Sequence, residues 1–340
     1  MQREVSVVRA LALFSGGLDS MLAARLIMEQ GVEVLALHFI TPFFGYKAKG
    51  REAEAAESFR ERYGVNVKII DISKEYIEMV KAPRYGYGKN FNPCLDCKIF
   101  MMTRAREIME REGYDFIISG EVLGQRPMSQ RRDAMRIVER DAGLDGKLLR
   151  PLCAKHMKPT IPEEQGLVDR ERLMNISGRS RKQQMELAER FGIKDYPTPA
   201  GGCLLTDPII SPRIRSLLAT DGEIETGDVL LLAVGRHFDL AGGKLYVGRN
   251  SEDNKKLVSL AREGDLLFKT KEVPGPVSLF RGSPAGDDLV LSASITARYS
   301  DGKALEEVAV GIRTPGSDEE TEVCVKPAEP EKLEALRTVY

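Results

Sequence analysis

An α/β architecture with a parallel sheet, followed by a smaller α+β or β-rich C-terminal domain, is predicted by three observations. Apolar strand-like runs alternate with helix-spaced segments through the first 120 residues. A Gly-rich turn follows the first of those runs directly, at Ser15-Gly16-Gly17-Leu18-Asp19-Ser20. From about Gly222 the texture changes to short apolar stretches broken by Gly and Asp turns. A chain of 340 residues exceeds the usual single-domain size, which agrees with more than one core.

Strands are expected at Val8 to Phe14, Val34 to Phe39, Val65 to Ile70 and Phe116 to Ser119. Helices are expected at Ser20 to Gln30, Gly50 to Tyr63, Cys97 to Glu112 and Gln183 to Phe191. In the third, Ile99, Met102, Ala105, Ile108 and Met109 recur at helical spacing and give one apolar stripe for the sheet. Short β patterns follow at Val229 to Val234, Lys244 to Val247, Leu289 to Ile295 and Val308 to Ile312. The expected domains are 1–215 and 222–312, with 313–340 as a tail whose acidic stretch Gly316 to Glu331 is expected to be solvated.

Apolar content of 42% and charged content of 30% are those of a soluble globular chain. No apolar stretch reaches the roughly 20 residues of a membrane span, and the N-terminus lacks a signal-peptide pattern, so a cytoplasmic location without membrane contact is expected. Net charge is −1, yet residues 122–182 hold 14 Lys and Arg against 8 Asp and Glu, a local basic face. Arg126, Arg131, Arg132, Arg136, Arg170, Arg172, Arg179, Arg181 and Lys182 could follow a phosphate backbone there, or form a solvated face balanced by nearby carboxylates. Oligomeric state is not legible.

The SGGLDS turn has the chemistry of a phosphate site. Gly16 and Gly17 allow a tight turn that points N–H groups at an anion, and the following helix N-terminus adds partial positive charge. Ser15 and Ser20 offer hydroxyl donors, and Asp19 can position Mg²⁺ on a pyrophosphate. An ordinary capped strand-to-helix turn is the alternative.

Five cysteines, an odd number, argue against a disulfide framework. Cys94 and Cys97 form C-x-x-C at a helix start, and Cys203 stands far along the chain in a Pro/Gly-rich segment. On the residues alone, a redox pair, zinc, an iron–sulfur cluster and inert thiols all stay open. Zinc would recruit Cys153 and His156, although 55 residues separate Cys97 from Cys153.

SGGLDS resembles the SGGxDS signature of the PP-loop ATP pyrophosphatases. The resemblance implies a HUP-type adenine-nucleotide-binding sheet and cleavage of ATP between its α and β phosphates, hence adenylation. The Walker pattern is absent. In that family adenine lies at the end of the second strand, here His38-Phe39, and Ser119-Gly120-Glu121 corresponds to a second ATP contact. Asn92-Pro93-Cys94-Leu95-Asp96-Cys97-Lys98 is similar to the Asn-Pro-Asp-x-x-Cys-Asn motif of the tRNA thiouridylase branch, with Cys94 in place of Asp. Cys203 falls where that branch has its second essential cysteine.

The resemblance implies a tRNA sulfurtransferase that adenylates a uridine carbonyl and replaces its oxygen with sulfur. Cys94, Cys97 and Cys203 would ligate a 4Fe-4S cluster whose fourth iron is free to bind sulfide. ATP and Mg²⁺ are its other implied cofactors, and tRNA and a sulfur donor, either free sulfide or a carrier protein, its partners. Cys153 is left out of the set, and Cys324 is incidental. Residues 222–312 resemble an RNA-binding module of the NFACT type, with Arg236, His237, Lys244, Arg249 and Asn250 as donors and Phe238 and Tyr246 as packing or stacking rings. Two rivals remain: a PP-loop enzyme acting on a small molecule with zinc or persulfide cysteines, and a non-catalytic RNA-binding sensor of ATP or redox state.

Overall fold

The computed structural model describes residues 7–196, 203–219 and 223–338. The chain divides into two compact units, Met1–Ser211 and Pro212–Tyr340. Gly222, the expected start of the second domain, and Pro199 to Gly202, next to Cys203, lie outside the described residues.

The first unit contains β1 (Arg9–Leu13), α1 (Leu18–Met28), β2 (Glu33–Ile40), α2 (Glu52–Tyr63), β3 (Asn66–Asp71), α3 (Ser73–Lys81) and α4 (Cys94–Glu112). It continues with β4 (Phe116–Ser119), α5 (Arg132–Asp141), β5 (Leu148–Leu149), α6 (Ile161–Glu164) and α7 (Lys182–Arg190), and α8 (Ile210–Leu218) crosses the division between the units. All five strands are parallel, in the order β3-β2-β1-β4-β5. Alternation along β1 explains why both faces are covered. Ala10 and Ala12 join the buried cluster of Leu18, Met21 and Leu22 from α1, while α4 packs on β1 and β4 with Met102 and Ala105 fully buried.

Strand order reverses between β1 and β4, so a crevice opens at the C-terminal ends of those strands. Both the SGGLDS turn after β1 and Gly120 after β4 lie there. A helix that connects two parallel strands runs back against them. The first turn of α4, which leads into β4, therefore stands at the same sheet edge. α4 begins at Cys94, three residues earlier than expected, and this puts both cysteines of the C-x-x-C in that turn.

The second unit comprises α9 (Thr226–Leu231), β6 (Arg236–Leu240), β7 (Gly243–Val247), α10 (Ser251–Leu260), β8 (Leu266–Thr270), β9 (Val277–Gly282), α11 (Asp288–Arg298), β10 (Val308–Arg313), β11 (Glu320–Val325) and α12 (Pro330–Leu336). Its antiparallel sheet has the order β11-β10-β8-β9-β7-β6. Phe238, Phe268 and Phe280 are fully buried against α11 and α12 residues in one core.

Three expectations need correction. Leu289 to Ile295 is helical, with Leu289 and Val290 exposed and Ala293, Ile295 and Ala297 buried, a helical periodicity that its β-branched residues had masked. Val229 to Val234 begins inside α9, which a reciprocal Glu225–Asp228 capping box starts. The segment 313–340 is not a solvated tail. β11 completes the sheet against β10, and Val325, Ala328 and Leu333 enter the core.

Candidate nucleotide and sulfur site

The phosphate loop is held by its own serines. Ser20 Oγ donates to the Gly17 carbonyl (2.7 Å) and accepts from the Ser15 N–H (3.3 Å), and Ser15 Oγ stands 3.4 Å from Ser20 Oγ. Gly16 has φ +72°, a left-handed conformation that a side chain would strain, and Ser15 is exposed at the crevice. Gly120 allows a close backbone approach, because a Cβ at that position would lie 2.5 Å from the Asp19 carbonyl oxygen. Asp19 Oδ2 accepts a hydrogen bond from Gln125 Nε2 (2.7 Å), while Arg181 Nη2 stands 3.9 Å from Oδ1.

At the end of β2, His38 Nδ1 donates to the Phe14 carbonyl (2.9 Å), and the ring packs 5.5 Å from Phe59. Burial lowers its pKa, so the ring is neutral and Nε2 remains an acceptor. Phe39 points to the other side of the strand and is buried in the core.

The cysteine half of the site gathers around Tyr76, which is 1% exposed and packs on Phe43, Phe44 and Phe100. Burial raises the tyrosine hydroxyl well above its ordinary value, and Cys97, Cys203 and Cys94 add to the shift, so all three sulfurs lie within its electrostatic range. Cys97 is pushed up to about 11 by burial, against a hydrogen bond from Tyr76 and the charge of Lys98. Cys203 is pushed up to about 12 by burial and then by Cys97 and Cys94. Asn92 Nδ2 donates to Cys94 Sγ (3.0 Å). The segment carrying Cys203 is fixed to the same unit, since the Leu204 N–H donates to the Phe43 carbonyl and Asn90 Nδ2 to the Thr206 carbonyl (3.0 and 2.9 Å). All five cysteines are free thiols.

Among the described residues, no three His, Cys, Asp or Glu side chains form a group that could hold one metal ion. A cluster makes a different demand, because its thiolates bind different irons and stand farther apart than ligands sharing one ion. Cys94, Cys97 and Cys203 are an all-sulfur donor set, the chemistry that a cluster takes. The zinc alternative loses its extra ligands. Cys153 is buried and donates to the Glu121 carbonyl (3.3 Å), and His156 Nε2 lies 2.6 Å from the Asn175 carbonyl.

A buried ion network joins the two halves. Lys98, next to Cys97, lies 4.0 Å from Glu121 Oε1, and Glu121, next to Gly120, accepts from Arg150 Nε at 3.1 Å. Arg150 also reaches Glu139 (3.0 Å) and the Met135 carbonyl (3.1 Å). Burial would raise the Glu121 carboxyl, but Lys98 and Arg150 outweigh it and hold it below its ordinary value.

Much of the expected basic face has structural work. Arg170 pairs with Glu163 and donates to the Ala154 and Met157 carbonyls, Arg172 donates to the Glu29 carbonyl, and Arg132 to that of His156. In the second unit, His237, Phe238 and Tyr246 are buried, Arg249 pairs with Asp253, Asn250 caps α10, and Lys244 pairs with Asp239. These hairpin residues build the unit instead of presenting a row of donors. Tyr76, Gln125, Arg150 and Gln184 were missed by the sequence reading. Tyr76 sits on a helix that was not expected, Gln125 and Arg150 lie in a loop-rich stretch, and Gln184 lies on an expected helix, where a lone Gln carries no motif.

These features define a doubly wound α/β unit with a Gly-rich strand-to-helix turn and a C-x-x-C helix start at one sheet edge. Residues 6–161 match the family described as thiamine biosynthesis protein (ThiI), and residues 235–337 match the NFACT protein RNA binding domain. The chain thus joins a segment matched by the ThiI family to a segment matched by the NFACT RNA-binding domain.

The chain is 31% identical over 145 residues to a probable tRNA sulfurtransferase of Thermococcus kodakarensis, covering 42% of this chain and 36% of that protein. It is 32% identical over 130 residues to a tRNA-specific 2-thiouridylase MnmA of Petrotoga mobilis, covering 34% and 35%. A 4-thiouridine synthetase solved as an RNA complex with bound ATP shows 18% identity and a TM-score of 0.39 over 66% of this chain and 52% of that one. The chain spans about a third to a half of the length of the curated relatives it matches. No described helix is long and apolar enough to cross a membrane.

Proposed function

We propose that this protein is an ATP-dependent tRNA sulfurtransferase of the cytoplasm that adenylates a uridine carbonyl and exchanges its oxygen for sulfur. The observation that carries this reading is the placement of the phosphate loop and the C-x-x-C turn on one sheet edge, bridged through Gly120, Glu121 and Lys98. The relatives named for tRNA sulfur transfer and the RNA-binding domain match support the substrate class.

Ser15, Gly16, Gly17 and Ser20 hold the ATP phosphates, and Asp19 positions Mg²⁺ on the pyrophosphate. His38 Nε2, an acceptor, faces the adenine amino group. The uridine oxygen attacks the α-phosphorus, the bond to the β-phosphate breaks, and pyrophosphate leaves. Hydrosulfide then attacks the activated carbon, a C–S bond forms, and AMP departs with the oxygen while the sulfur proton passes to solvent. Sulfur keeps its oxidation state, so no reductant is needed.

Cys94, Cys97 and Cys203 would hold a 4Fe-4S cluster. When bound, it would supply a place for the sulfur nucleophile out of water. Free sulfide or a carrier protein provides that sulfur. Two measurements test the reading together: nucleoside mass spectrometry of tRNA from a strain lacking the gene, and iron and sulfide content of anaerobically purified protein. Loss of one thiolated uridine and about four irons per chain are expected. An unchanged nucleoside profile would overturn the tRNA reading, and full activity in iron-free protein would overturn the cluster.

A further inference from the structure

Residues 84–92, between α3 and α4, form a loop fastened to the segments that carry the three sulfurs. The buried Asp96 carboxylate, between Cys94 and Cys97, accepts from the Arg84 and Tyr85 N–H groups (2.8 and 3.1 Å). Asn92 Nδ2 donates to Cys94 Sγ (3.0 Å), and Asn90 Nδ2 reaches the Thr206 carbonyl in the segment of Cys203 (2.9 Å). Across the loop, the Gly88 N–H donates to the Asn92 carbonyl and the Phe91 N–H to that of Gly88 (3.0 and 3.2 Å). A loop held at both ends and through its middle presents a preorganised surface.

That surface is aromatic. Tyr87 and Phe91 stack with centroids 3.9 Å apart and planes 14° from parallel. Phe91 is buried, whereas Tyr87 is 39% exposed, and the Tyr87 hydroxyl donates to the Val80 carbonyl (2.7 Å), which fixes its ring. Among the described residues Phe91 is the only non-glycine residue with a positive φ, +62°, a conformation that a bulky side chain adopts only where its surroundings impose it. Met128, 44% exposed, continues the patch: its sulfur stands 3.7 Å from Asn92 Nδ2, and a Cβ on Gly88 would lie 2.7 Å from it. Lys89 in the loop and Arg126 shortly before Met128 are exposed and pair with no carboxylate among the described residues. The loop after β4 runs from Gln125, bonded to Asp19, to Met128, so one short segment links the patch to the phosphate turn.

We propose that the Tyr87–Phe91 stack and Met128 form the platform that receives the unpaired base of the RNA substrate, with Lys89 and Arg126 taking its flanking phosphates. A ring face beside cations suits a single-stranded nucleotide, whose base stacks while its backbone meets the charge. Chemistry on a base requires that base to leave its helix, and an apolar shelf bonded through Asn92 to Cys94 receives it where sulfur is delivered. The proposal rests on the tRNA reading above and names the residues of this chain that hold the nucleotide. On that reading adenine lies at the end of β2, so ATP and the RNA base do not compete.

Photocrosslinking of the full chain tests this. The probe is a single-stranded oligouridine RNA with one 5-iodouridine, and labelled tryptic peptides are mapped by mass spectrometry. The label is expected on Tyr87, in the peptide Tyr85–Lys89, and excess magnesium ATP should leave it there. Lys89→Glu and Met128→Glu alter exposed positions, keep the ring, and should each lower labelling of Tyr87 by about fivefold or more, with thermal melts to establish folding. Tyr87→Phe should retain the label at that position. Labelling confined to other peptides, displaced by ATP, or unchanged in either glutamate variant would overturn the proposal. A wild-type chain that is labelled nowhere would instead overturn the RNA reading beneath it.

Discussion

Replacing Gly120 by alanine tests the nucleotide site at the point where two strand ends meet. The added Cβ would lie 2.5 Å from Asp19 O, 2.6 Å from Asp19 C and 2.7 Å from Ser20 N, whereas ordinary contact begins at 3.4 Å. One backbone must therefore shift by about 0.9 Å, the difference between 3.4 and 2.5 Å. All three neighbours are main-chain atoms in the first turn of α1, so no side chain can rotate away. Overpacking of this kind costs about 1–3 kcal/mol, a fall of about 2–12 °C in melting temperature for a unit of this size. The functional loss should be larger in proportion. A displacement near 1 Å at a phosphate-positioning loop costs about a hundredfold in rate. Calorimetric ATP titration and a tRNA thiolation assay on the folded variant measure it. A Gly120→Ala protein with wild-type ATP affinity and thiolation would refute the idea that β4 abuts the phosphate loop for this purpose.

Arg150→Met leaves Glu121 and Glu139 facing each other without their shared cation, and chemical denaturation should show a loss of about 3–5 kcal/mol. Because the folded Glu121 carboxyl lies below its ordinary 4.5, its contribution is present above that pH and disappears as pH falls through the lower value. Cys94→Ser, Cys97→Ser and Cys203→Ser should each lose cluster iron, whereas Asp19→Ala should keep the iron and lose thiolation; retained iron in all three serine variants would sink the ligand assignment. In metal-free protein, iodoacetamide should label Cys97 slowly at pH 8 and faster toward 11, and Tyr76→Phe, which removes a hydrogen bond to the sulfur, should move that profile upward. His237, held at about 3 by burial and then by Arg213, is neutral when folded, so the unfolded chain takes up the extra proton below pH 6.5. Stability should fall by about 1.4 kcal/mol per pH unit from 6.5 toward 3, and His237→Gln should flatten that limb of the melting curve.

The parallel sheet was legible because a strand buried on both faces leaves an unbroken apolar run, as at Ala10 to Ala12 and Phe116 to Ile118. SGGLDS was legible for a local reason. A strand, a Gly turn and a helix N-terminus are contiguous there, so the turn can be read from neighbouring residues alone. The other half of the site depends on residues distant in the chain. Nothing around Tyr76 announces that three sulfurs gather near its hydroxyl, because that fact exists only after α3 and α4 pack. Arg181 looked like one member of a basic face, and its opposition to Asp19 emerges only from the parallel packing of α7 on α1. The errors in the second unit share one cause. Leu289 to Ile295 and Val229 to Leu232 are short and rich in branched residues, so propensity pointed to strands while capping acids and burial spacing favoured helices.

Cys203 is anchored to Phe43 and Asn90 across a long stretch of chain, and this sets an order for biosynthesis. A nascent chain that has emerged only through α7 contains the SGGLDS turn, Glu121, Arg150, Cys94 and Cys97, but not yet Cys203. The third thiol arrives later and docks onto a unit that is otherwise built. A product that ends before Cys203 keeps every residue of the proposed nucleotide site and lacks one of the three proposed cluster ligands. On the proposed function, loss of the segment that carries Cys203 would separate nucleotide binding from sulfur transfer.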